Sequence, residues 1–67
     1  MGVVRIMLLQ HNDHYKLNVE VQWIDLNQVR LAFRRTDLGI EYSDHEYYLT
    51  PQELSKLVDY IRDVLAE

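Results

Sequence analysis

Two short clusters hold the side chains best suited to metal or proton chemistry. His11, Asp13 and His14 fall within four residues, and Asp44, His45 and Glu46 follow one another. Imidazole and carboxylate together suit zinc, nickel or copper. Three ligands on one tight turn rarely converge on one ion, and neither set has an obvious fourth member. Both clusters are therefore expected to be solvated, and no metal is expected. Asp59 and Asp63 lie one helical turn apart, a spacing that suits paired carboxylates. General acid–base work also needs a cleft that shifts their pKa, and a chain of 67 residues has little room for one. There is no cysteine nucleophile, no Ser-His-Asp spacing and no glycine-rich phosphate loop, since Gly2 and Gly39 are the only glycines. The sequence thus names no catalytic residue and no cofactor, and a non-enzymatic protein is expected.

The elements that would carry such side chains are easier to read. At 67 residues the chain is expected to form a single domain, 1–67. Without cysteine it has neither disulfides nor a thiolate zinc site, so one small core must hold it together, with self-association as an additional source of stability. The strongest local signal is Leu49-Thr50-Pro51-Gln52-Glu53-Leu54. Thr50 and Glu53 have the spacing of a capping box, and Leu49 and Leu54 that of a hydrophobic staple. Pro51 occupies the first helical position, where its missing donor is harmless. From Pro51 to about Ala66, Leu54, Leu57, Val58, Ile61, Val64 and Leu65 recur at helical spacing.

Upstream, the period is two. Tyr15 to Ile24 alternates most cleanly, with Tyr15, Leu17, Val19, Val21 and Trp23 on one face. Val3 to Gln10 and Gln28 to Arg35 are the first and third strands, the third with Val29, Leu31 and Phe33 inward. On the first strand Val4, Ile6 and Leu8 are expected on one side, and Arg5, Met7 and Leu9 on the other. Polar turns are expected at 11–14, 25–28 and 36–39. From Ile40 to Tyr48 the pattern weakens: a short fourth strand or a loop both fit, and Ser43-Asp44-His45-Glu46 could break such a strand in two. The expected fold class is α+β: an antiparallel meander of three or four strands with one C-terminal amphipathic helix packed on one face, in the order βββ(β)α. Trp23 is expected in the core.

Charge is divided unevenly. Residues 1–35 carry a balance of +2 and residues 36–67 a balance of −6, within a net charge of −4. Between Arg35 and Lys56 there is no basic residue, while acids and tyrosines interleave. Asp37, Glu41, Tyr42, Asp44, Glu46 and Tyr48, joined by Tyr60 on the exposed side of the helix, are the candidate contacts for a larger protein with a basic surface. The expected function is a small acidic protein-binding module that docks without catalysis. Inhibition or regulation of a nucleic-acid-handling complex fits that charge, a general profile shared by small phage-encoded antagonists of host defence. One alternative is a homodimeric assembly subunit, held through Arg5, Met7 and Leu9 on the outer side of the first strand. A second is a nucleic-acid binder using Arg30, Arg34 and Arg35. The acidic net charge and the lack of outward aromatics on the first three strands disfavour it. The apolar start is too short and too interrupted for a signal sequence or a membrane span, so a cytoplasmic location is expected.

Overall fold

A computed structural model describes residues 3–37 and 40–67, with Glu41 and Tyr42 described by their backbone alone. The order is β1 (Val4–His11), β2 (Tyr15–Asp25), β3 (Gln28–Asp37), β4 (Ile40–Leu49) and α1 (Pro51–Leu65). The four strands form one antiparallel sheet in the order β1-β2-β3-β4. This is an α+β fold with all four strands present. Of the turn expected at 36–39, Leu38 and Gly39 lie outside the described residues.

The side chains that favour turns act as expected. Asn12 Oδ1 accepts from the His14 and Tyr15 amides at 2.8 and 3.0 Å, closing the first hairpin. Asp25 Oδ1 accepts from the Asn27 amide at 2.7 Å, so only Leu26 and Asn27 separate β2 from β3. Such Asx interactions let a side chain supply the bond that a tight turn denies the backbone.

Directly paired residues share a face of the sheet. One face carries Val19, Val21 and Trp23 of β2 opposite Phe33, Leu31 and Val29 of β3, with His45, Tyr47 and Leu49 of β4 beyond them. The other carries Asn18, Glu20 and Gln22 opposite Arg34, Ala32 and Arg30, then Asp44, Glu46 and Tyr48. The register corrects the expectation for β1. Arg5 pairs with Val21 and Met7 with Val19, so both belong to the apolar face. Val4, Ile6 and Leu8 pair with Gln22, Glu20 and Asn18 on the polar face. Leu9 is the extra residue of a β-bulge between Leu8 and Gln10. Alternation could not assign this strand because both of its sides are apolar.

β4 is continuous through Ser43–Glu46, which decides between the strand and the loop that the sequence left open. Asp44 and Glu46 stand opposite Arg34 and Ala32 on the polar face, while Ser43 and His45 take the other. The irregularity falls earlier, where Arg35 pairs with Ser43 and Thr36 with Glu41, leaving Tyr42 as the extra residue.

The helix starts as its sequence dictates. The Glu53 amide donates to Thr50 Oγ1 at 3.1 Å, and the Thr50 amide donates to Glu53 Oε1 at 2.8 Å. This reciprocal pair holds the Glu53 carboxyl below its ordinary range, chiefly through the Thr50 amide. Leu49, Pro51 and Leu54 are half-buried. Beyond them the helix lies lightly against β3 and β4, and Leu57, Val58, Ile61, Val64 and Leu65 are 40–78% exposed. Trp23, expected in the core, is 46% exposed, at the rim of a groove it shares with Val29, Leu54 and Val58. Among the described residues only Val29, Leu31, Ala32 and Glu20 are buried.

The consequence shows in the dimensions. The radius of gyration is 13.7 Å, against about 11 Å for a compact chain of this length. The accessible surface is 5532 Å², against about 4,500 Å² for a globular monomer of this mass.

Candidate docking surfaces

The polar face is closed by its own charges. Ala32, fully buried, stands at its centre with Glu20 on one side and Glu46 on the other. Its small side chain leaves room for two arginines to reach across. Arg30 Nη1 donates to Glu20 Oε2 at 3.2 Å, and its Nη2 and Nε donate to Glu46 Oε1 at 2.7 and 3.1 Å. Arg34 Nη1 lies 3.4 Å from Glu20 Oε1, and its Nη2 donates to Asp44 Oδ2 at 3.2 Å. Tyr48 Oη lies 3.5 Å from Glu46 Oε2. The chain therefore builds a five-membered ladder across β2, β3 and β4: two guanidiniums bridging three carboxylates. Glu46, then Glu20, hold the Arg30 guanidinium protonated above its already high range. Glu20 is only 8% exposed, and a carboxylate so placed needs both cations.

This ladder redistributes the residues singled out from the sequence. Asp44 and Glu46 are engaged within the chain, and Tyr48 stands beside them, half-exposed. Asp37 is half-buried opposite Tyr15 and Ile40. The side chains of Glu41 and Tyr42 lie outside the described residues. Tyr60 stands apart from all of these, exposed on the helix. The arginines of the sheet are divided between its faces. Arg30 and Arg34 belong to the ladder, Arg5 lies on the apolar face, and the Arg35 guanidinium sits 4.5 Å above the Tyr15 ring.

The surfaces that remain open are apolar. The first is the helix stripe from Leu57 to Leu65, with a groove of about 390 Å³ at its base between Trp23, Val29, Leu54 and Val58. The second is β1, whose eight residues are all exposed. On β1 the exposure expected of Met7 and Leu9 is found, and Val4, Ile6 and Leu8 share it; the helix stripe was not legible as open surface, because an amphipathic helix looks the same whether its cover lies inside the chain or outside it. His11, Asp13 and His14 are exposed around the Asn12 turn. Among the described residues no three His, Asp or Glu side chains are grouped to hold a metal ion. No helix among them is long and apolar enough to cross a membrane.

Searches of family models, of curated proteins and of solved structures found no match to this chain.

Proposed function

We propose that this chain is a small acidic binding module that acts by docking on a larger protein and not by catalysis, with α1 as the element that enters the partner. The observation behind this reading is the apolar stripe Leu57, Val58, Ile61, Val64 and Leu65, borne on a firmly capped helix and left 40–78% exposed. Amphipathic helices seat such i, i+3, i+4, i+7 anchors in a partner's groove. Asp59, Asp63 and Glu67 recur away from the stripe, all exposed, and Tyr60 stands beside them. A groove with a basic rim complements that arrangement. Proteins that handle nucleic acid carry basic grooves, so inhibition or regulation of such a complex is the role that fits. Arg30 and Arg34 offer little to a phosphate backbone, since they already serve three carboxylates.

The test is comparative capture from nuclease-treated extract of the source cells. The native chain is expected to retain one stoichiometric protein that Ile61→Glu loses, with the far-UV circular dichroism of both chains alike. Equal retention by the two chains would remove the helix from the docking surface.

A further inference from the structure

We infer that β1 pairs with β1 of a second copy, joining two sheets into one of eight strands through a two-fold axis at Ile6. This interface lies on the sheet edge remote from β4 and α1, and so stands apart from the docking proposed for the helix.

Three observations carry it. First, β1 is an edge strand with apolar side chains on both faces: Val4, Ile6 and Leu8 on one and Met7 on the other, every one exposed. An exposed apolar edge strand is a template for pairing with another chain. Natural edges are blunted by proline, lysine or other charges. From Val4 to His11 there is no proline and no lysine, and Arg5 is the only Lys, Arg, Asp or Glu. The bulge at Leu9 bounds the open ladder at its far end.

Second, the strand is complementary to itself. An antiparallel pairing centred on Ile6 places Ile6 against its own copy, and Val4 against Leu8 of the second copy. This makes one continuous apolar row on the polar face of the joined sheet. On the other face it sets Arg5 against Met7 of the second copy, so the two arginines never meet. Moving the axis to Arg5 would oppose like charges, and moving it to Met7 would set Val4 against Gln10. An isologous contact needs one patch that fits itself, and this one does.

Third, the chain has surface to bury. Its exposed surface of 5532 Å² exceeds that of a compact monomer by about 1,000 Å², an excess that β1 shares with the helix stripe.

Sedimentation equilibrium of the full chain at tens of micromolar is expected to give twice the 8.1 kDa chain mass. Ile6→Lys, which places two ammoniums at the axis, should halve that mass without changing the far-UV circular dichroism. Ile61→Lys on the helix should leave the dimer intact. The chain has no cysteine, so Ile6→Cys gives a second measurement that does not depend on the lysine variant folding. Residues directly opposite lie about 4.5–5.5 Å apart between Cα atoms, within disulfide reach. Mild oxidation should therefore crosslink Ile6→Cys as a covalent dimer. Leu8→Cys should stay uncrosslinked, because its copies lie four residues, or about 14 Å, apart. A native mass of 8.1 kDa overturns the inference, as does dissociation by Ile61→Lys in place of Ile6→Lys, or equal crosslinking of both cysteine variants.

Discussion

The middle of the sheet and its two apolar extremities solve the problem of a small chain in opposite ways. Around β3 the partners come from within: Glu20 meets two arginines, Arg30 meets two carboxylates, and Val29 lies beside Leu54 and Val58 of the helix. In β1 and the last three turns of α1 the large apolar side chains stay 40–78% exposed. The difference teaches that hydrophobic pattern specifies an element but not its cover. A chain of 67 residues can be complete in secondary structure and still be incomplete in burial.

The sharpest way to probe this contrast is Glu20→Ala. It removes the carboxylate shared by Arg30 and Arg34 and leaves two guanidiniums over a buried alanine. A loss of about 2–3 kcal/mol is expected in urea or thermal unfolding. A variant that melts with the native chain would show that the ladder only decorates the sheet. Trp23→Ala comes next. A fully buried tryptophan costs about 3–5 kcal/mol on truncation. At 46% exposure, on the rim of the helix groove, the expected cost is about 1–2 kcal/mol. A larger loss would place Trp23 in the closed half of the comparison.

Thr50→Ala removes the helix cap and should cost about 1 kcal/mol. The same box makes a pH signature. The Glu53 carboxyl is held below its unfolded value. Its contribution is therefore complete above the ordinary carboxylate pKa of about 4.3 and is lost as pH falls through the lower folded value. Melts of the native chain and of Glu53→Ala should converge as the solution is acidified through that window. A constant gap would remove the ionised box from the account. The smallest effect is expected for Ile61→Ala, within about 0.5 kcal/mol for the isolated chain. A buried isoleucine would cost about 2–5 kcal/mol, and a loss of that size would mean the helix is covered after all.

Much of the fold was legible because its signals are local. Alternation in β2 and β3, the Thr50–Glu53 spacing and the turn residues each act within a few positions of the element they define. What escaped depends on partners distant in the chain. The facing of β1 is set by pairing with β2, and with Met7 and Leu8 equally apolar nothing in the strand itself favours either side. The continuity of β4 rests on Asp44 and Glu46 meeting arginines 10 and 16 positions earlier. Read alone, those two acids resemble a solvated loop or a binding surface. Of the candidate contacts, Tyr60 remains on open surface, while Asp44 and Glu46 are committed to holding the sheet. Carboxylates count as free charge only after their cross-strand neighbours are known.

The strand order β1-β2-β3-β4 also has a kinetic meaning. Each strand pairs with its neighbour in the chain, so no ladder waits for the closure of a long loop. The β2–β3 hairpin, with its two-residue connection and the longest uninterrupted run of paired residues, is the natural nucleus, and β4 and β1 can zip onto it from either side. Rapid folding for a β-rich chain follows. Substitutions near Val21 and Leu31 should slow refolding, whereas those in β1 should act chiefly on the rate at which the sheet comes apart.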